Sequence, residues 1–137
     1  MFDAAGADLV FLLARVFFGG VLAFTGVNHF LDTDSMAEYA AYKGLPAPRV
    51  SVLASGALLI GGGLSIVLGV MPAVGAGLLA IFLVVSAVTM HDFWAVDDEQ
   101  RQDEFTHFLK NVYGAAGALA FVVAANVPWP YALNLGL

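Results

Sequence analysis

The chain has no cysteine among its 137 residues, which removes disulfides, thiol nucleophiles and cysteine-ligated zinc or iron–sulfur centres from this polypeptide's own chemistry. Charge is also scarce. Only 12% of residues are Asp, Glu, Lys or Arg, while 61% are hydrophobic, far from the composition of soluble domains. Basic residues are scarcest: five Lys and Arg against eleven Asp and Glu leave a formal net charge of −6. That balance excludes nucleic acid as a partner, because neutralising phosphates needs basic surface. No Gly-x-Gly-x-x-Gly signature for a flavin or nicotinamide cofactor is present. A soluble chain this short cannot bury so much apolar surface in one core, so lipid is its expected solvent.

What is present in abundance is long apolar sequence. Four runs, at about residues 8–30, 50–70, 72–91 and 107–127, each approach the roughly 20 residues needed to cross hydrocarbon as a helix. Backbone groups in lipid must pair within their own segment, which excludes isolated strands. The expected fold class is therefore all-α: residues 1–137 form a single transmembrane domain, a four-helix bundle with short loops. The N-terminus, Met-Phe-Asp-Ala-Ala-Gly-Ala-Asp, is acidic where a cleavable signal would be basic, so the first run reads as a permanent span. Pro72 suits the first turn of the third span, making spans two and three a tight hairpin. In the first loop, Met36 to Tyr42 suits a short interfacial helix, ended by Gly44-Leu45-Pro46-Ala47-Pro48.

Lys43, Arg49, Arg101 and Lys110 all fall on one side of this topology and no Lys or Arg falls on the other. The positive-inside rule then predicts a multi-pass cell-membrane protein with both termini outside and loops 31–49 and 92–106 cytoplasmic. Trp129 and Tyr131, beyond the last span, are expected in the outer headgroup region. Asn28-His29-Phe30-Leu31-Asp32 and His91-Asp92-Phe93-Trp94 end the first and third spans in similar ways, a faint echo compatible with two related hairpins.

The polar residues cluster as well. His29, His91, Asp92, His107, Lys110 and Asn111 all lie at the predicted cytoplasmic ends of their helices, and histidine changes charge near neutral pH. Interfacial anchoring is the plain alternative for any one of them. Arg15, Gly19, Leu22, Gly26 and His29 follow a 4, 3, 4, 3 spacing that puts them on one helix face. Glycines there permit close approach, and charges facing lipid would be costly. Arg15 lies roughly 21 Å along the axis from His29, so the two cannot touch, and snorkelling to the outer headgroups is Arg15's alternative role. The stripe Ser51, Ser55, Gly62, Gly69 and the run Lys110, Gly114, Gly117 read as packing seams.

His29, His91, Asp92 and His107 offer nitrogen and oxygen ligands of the kind that suit zinc, iron or copper. No His-x-x-x-His pair exists, so haem or metal ranks below a quinone, and no metal ligand is assigned. A quinone head needs a flat apolar slot and one or two hydrogen-bond partners. Phe30, Phe93, Trp94, Phe105 and Phe108 offer walls, His91, His107 or Lys110 offer donors, and Asp92 offers a group to orient a histidine or relay a proton.

Arg15 with Gly19 and Gly26, Gly44-Leu45-Pro46-Ala47-Pro48, the glycine-rich second span, His91-Asp92-Phe93-Trp94 and Phe108-Leu109-Lys110-Asn111 with Gly114 occur in an order that resembles the DoxX family. The His-x-Phe-Trp and Phe-x-Lys-Asn segments are the most specific. One departure is Leu53-Ala54-Ser55-Gly56, where many relatives carry a glutamate entering the second helix, so that carboxylate's role does not transfer. The resemblance implies a four-helix membrane bundle and, through the small subunit of thiosulfate:quinone oxidoreductase, a link to the quinone pool. The expected function is a quinone-interacting subunit of a membrane-associated oxidoreductase. His91, Asp92 and Lys110 are its expected catalytic residues, and Arg15, His29, Phe93, Trp94, His107 and Asn111 hold the ligand. Membrane lipid and a protein partner or second copy are the expected associates. The competing readings are a non-catalytic scaffold that recruits a cytoplasmic protein through the acidic Asp97 to Glu104 stretch, and a small carrier or channel lined by the Arg15 to His29 face.

Overall fold

The computed structural model describes residues 3–136. Its five helices are α1 (Ala7–Leu31), α2 (Thr33–Tyr42), α3 (Pro48–Leu68), α4 (Pro72–Met90) and α5 (Asp98–Ala124). All but α2 are long and apolar enough to cross a membrane, so the protein is an all-α membrane bundle. α1, α3, α4 and α5 run up and down in turn. The α3–α4 turn and both described ends share one end of the bundle, the terminal end, while α2 and the α4–α5 connection lie at the other, the loop end.

The sequence dictates how closely these helices approach. α1 and α3 meet through glycines: a Cβ built on Gly26 would lie 2.6 Å from the carbonyl oxygen of Gly56, and one on Gly19 would press on that of Gly63. Backbones this close gain the dispersion contacts that drive helix association in lipid, where water supplies no hydrophobic force. Between α3 and α4, the side chain of Leu79 fills the space left by Gly62. The core is completed by Leu59, Ile66, Ala76, Ala80, Ala118 and Phe121, with Ala125 and Trp129 closing it at the terminal end.

Two features depart from the sequence expectation. α5 begins at Asp98 rather than near residue 107. Asp97 is extended at the N-cap position, and Asp98 and Glu99 stand in the first turn, where negative charge complements the helix dipole. An apolar search misses such an opening. At 27 residues α5 is about 40 Å long, longer than the roughly 30 Å hydrocarbon layer, so its first turns project at the loop end.

The second departure is Trp129, which is only 2% exposed rather than set among headgroups. Its ring meets Phe11 edge-on at 5.2 Å, and its Nε1 donates to the Ala124 carbonyl at 2.9 Å. The carbonyls freed at the end of α5 supply the partner that a buried indole requires. Tyr131 stays exposed.

The tail after α5 folds back on the α3–α4 turn. Leu133 and Leu135 donate to the carbonyls of Leu68 and Gly69, and Met71 donates to that of Leu135. Arg15 locks this arrangement. Fully buried, it donates from Nε to Ile66 at 3.2 Å, from Nη1 to Pro130 at 2.6 Å, and from Nη2 to Val67 and Tyr131 at 2.6 and 3.2 Å. The Trp129 ring lies 5.2 Å from its guanidinium carbon. Its inward-facing position, rather than snorkelling, satisfies carbonyls that lipid could not.

Candidate functional site

The loop end gathers polar side chains from three elements. α4 stops at Met90, and a tight turn, in which Phe93 donates to the His91 carbonyl and Ala95 to that of Asp92, holds His91 and Asp92 just past the helix end. α5 presents Glu104, His107 and Lys110 three residues apart, on neighbouring turns of one face. α2 contributes Tyr39 and Lys43, four apart and likewise on one face.

Glu104 is the hub. Tyr39 donates to its Oε1 at 2.5 Å, His91 Nδ1 meets its Oε2 at 2.9 Å, and Lys43 Nζ stands 3.8 Å from Oε1. Lys43 pairs more closely with Asp92, at 2.5 Å, and its side chain is only 5% exposed. The His91 and His107 rings stack with centroids 5.1 Å apart and planes 23° apart. Lys110 Nζ lies 3.2 Å from His107 Nδ1. A lysine ammonium only donates, so that nitrogen of His107 accepts and its proton sits on Nε2.

This environment sets the charges. Burial lowers the pKa of His91 and, together with His107 and Lys110, outweighs the opposing hydrogen bond and charge of Glu104. His91 is therefore neutral at neutral pH. Burial, the Glu104 hydrogen bond and the Glu104 charge push Tyr39 up to about 12. Burial opposes the charge on Lys43, but the Asp92 hydrogen bond with the charges of Tyr39, Glu104 and Asp92 prevails and raises its pKa. The Lys43 hydrogen bond lowers that of Asp92 against a smaller effect of burial.

A cleft of about 540 Å³ opens beside these groups, lined by Tyr39, Tyr42, Lys43, His91, Glu104 and His107 together with Glu99, Gln100 and Asp103. Next to the same turn stands an aromatic cluster: Phe93 packs against Trp94, Phe105 and Phe108 with centroids 5.1, 4.9 and 5.2 Å away. The arrangement can donate, accept and relay protons at the edge of an apolar bundle.

Of the residues singled out in the sequence, His91, Asp92, His107, Lys110, Phe93 and Trp94 are brought together here, with Phe105 and Phe108. The others are not. His29 faces α3, with Nδ1 at 2.9 Å from Ser55 Oγ and 3.2 Å from the Val52 carbonyl. Asn111 is buried between α4 and α5 and donates to Ser86 Oγ. Phe30 lies against Gly56 on α3. Arg15 belongs to the terminal end. Asp92, expected to orient a histidine, pairs with Lys43, and Glu104 takes the histidine. Among the described residues no group of three or more His, Asp or Glu converges to hold a metal.

Sequence reasoning missed Tyr39 and Glu104, and used Lys43 only for orientation. A signal existed in the Tyr39–Lys43 spacing, and in Glu104 lying one turn before His107.

No curated protein and no solved structure matches the chain. The DoxX family profile matches residues 10–92, more than half of the chain. The match runs from the first turn of α1 through all of α2, α3 and α4 to His91 and Asp92, and leaves Glu104, His107 and Lys110 of α5 outside it. By that match, and with its four apolar helices, the chain belongs to the DoxX family.

Proposed function

We propose that this protein is a quinone-interacting subunit of a membrane oxidoreductase, and that the loop-end cleft receives the quinone head. The observation that carries the reading is the Tyr39–Glu104–His91–His107–Lys110 cluster standing beside the Phe93, Trp94, Phe105 and Phe108 rings at the edge of the apolar spans. When bound, a quinone supplies electron transfer coupled to proton uptake and release. The chain supplies the rest. Tyr39 and Tyr42 offer aromatic flanks in the cleft, with the Phe93 cluster next to the same turn; His107, which accepts from Lys110, offers a donor to an oxygen, and Glu104 with His91 holds or moves a proton at Nε2 of His91. Lys43, by pairing with Asp92, ties α2 over this end. The excess of basic residues on the loop-end side supports a cytoplasmic position for it. Electrons come from a partner protein or a soluble reductant.

Purification in mild detergent, extraction of small molecules, and measurement of quinone, haem and metal per protein test the proposal. About one quinone per chain, lost in His91→Ala, is the expected result. Haem or metal in place of quinone would redirect the site to ligation, and an empty protein would overturn the reading.

One observation favours a second reading. Asp97, Asp98, Glu99 and Asp103 remain exposed on the projecting part of α5, a surface for a basic protein in a scaffold role. Loss of cellular function on reversing these four charges, with function intact in His91→Ala and Lys110→Ala, would favour it. A carrier or channel along the Arg15 to His29 face is disfavoured, because that face is closed against the backbone of α3 at Gly56 and Gly63.

A further inference from the structure

One polar atom of a residue that lines the cleft makes no hydrogen bond among the described residues: Nε2 of His91. The carboxylate of Glu104 can only accept, so the 2.9 Å bond to His91 places the ring proton on Nδ1. The neutral ring then carries a bare lone pair at Nε2. Among the described residues no hydrogen bond uses that lone pair. It is not sealed either, since Asp8 Oδ1 is the one buried side-chain polar atom without a partner among the described residues. His91 and His107 both line the cleft. On the stacked His107 ring the tautomer is the opposite one, with Nδ1 accepting from Lys110 and Nε2 carrying a proton. The pair thus offers the cleft one acceptor and one donor.

Resting on the quinone reading above, we propose that the cleft discriminates by redox state and binds the reduced, hydroxyl-bearing quinol in preference to the oxidised quinone. A quinol hydroxyl donates to Nε2 of His91 and accepts from His107. A quinone carbonyl only accepts, so it satisfies His107 but sets its lone pair against that of His91. A site with a polar group committed to one partner rejects the analogue that leaves this group unpaired. The same contact orients a proton transfer: the ligand O–H bond breaks, an N–H bond forms at Nε2, and the imidazolium stands against the Glu104 carboxylate. The electrons stay on the ligand in that step.

The preference depends on His91 remaining neutral. The charged and titratable groups around it are Asp92 beside it, Tyr39 and Lys43 from α2, and Glu104, His107 and Lys110 from α5. Glu104 favours the imidazolium, whereas His107 and Lys110 oppose it. Acidification converts Nε2 to a donor, and the advantage of the hydroxyl disappears.

The test titrates the full chain in detergent, without oxygen, with a short-chain benzoquinone and with its hydroquinone. At about pH 7.5 the hydroquinone is expected to bind about tenfold more tightly, a difference of ~1.4 kcal/mol, and the preference should vanish below the ordinary histidine range. Glu104→Gln provides a second readout. Its amide oxygen still accepts from Nδ1 of His91, and its NH₂ donates to Tyr39, whose own proton turns to the Met90 carbonyl 3.1 Å away. The preference should therefore survive at neutral pH while the pH at which it is lost moves down, because the imidazolium has lost its counter-charge. Equal binding of both forms at neutral pH, or a tighter quinone, overturns the inference and leaves the quinone reading standing. Binding of neither form overturns both.

Discussion

Arg15 shows how one residue can be a site by appearance and a fastener by geometry. Its face was legible in the sequence, because the spacing to Gly19 and Gly26 made it helical and charge avoids lipid. Its partners were not legible, since backbone carbonyls over 50 and over 110 residues away leave no mark on residue type. Arg15→Leu orphans four carbonyl contacts in a buried setting, and each orphaned group costs ~1–3 kcal/mol. A loss of about 3 kcal/mol or more in stability is expected, read as a lower unfolding midpoint in detergent, with quinone content per folded protein unchanged. Arg15→Lys should recover only part, because an ammonium cannot reproduce the guanidinium fork. Trp129 was misread for a related reason: the interfacial preference of tryptophan is an average, and here Ala124 and the Arg15 cation offer its indole a better partner indoors.

At the scale of elements, α2 is held to α4 and α5 by polar contacts and to α3 by packing. Burial, with His107 and Lys110 of α5, depresses His91, and Lys43 depresses Asp92. Both groups therefore add stability that is complete above their unfolded values of about 6.5 and 3.9 and is lost as pH falls through the lower folded values. Tyr39 and Lys43 are raised, so their share is complete below unfolded values near 10 and lost as pH rises, for Tyr39 through about 12. Protection of residues 33–42 against hydrogen exchange, taken relative to the intrinsic rate at each pH, is expected to reach a plateau between about pH 7 and 10 and to fall on either side. Glu104→Ala should abolish the plateau while the four spans stay protected; an unchanged pH profile would count against the clamp. The same scale holds a steric contrast. Gly26→Leu drives a side chain into the Gly56 carbonyl and should destabilise by ~1–3 kcal/mol or more, whereas Gly61→Ala, with nothing within 4 Å of its new Cβ, should be neutral in the same thermal assay. The boundaries of α1, α3 and α4 were close to legible because lipid selects uninterrupted apolar runs. The first turns of α5 were not, because their charges are explained by water and by the helix dipole.

For the molecule as a whole, the two ends have opposite characters. The terminal end is closed by Arg15, Trp129 and the returning tail, with the Arg15 guanidinium pairing the carbonyls of Ile66, Val67, Pro130 and Tyr131. The loop end keeps a cleft, a bare imidazole nitrogen and a set of rings. The sequence already put His91, His107 and Lys110 at one end of the bundle, since the alternation of spans alone decides that. It could not pair Tyr39 with Glu104 or Lys43 with Asp92, because those contacts join elements that only the packed bundle brings together. On the proposed function, the quinone binds at the loop end and not at the terminal end, and a photoreactive azidoquinone tests that placement directly. After irradiation of the purified protein, labelled peptides are predicted to map to Tyr39–Lys43 and His91–Lys110, with labelling suppressed by excess quinone. Label concentrated around Arg15 and Trp129, or spread along the lipid-facing helices and indifferent to competitor, would contradict it.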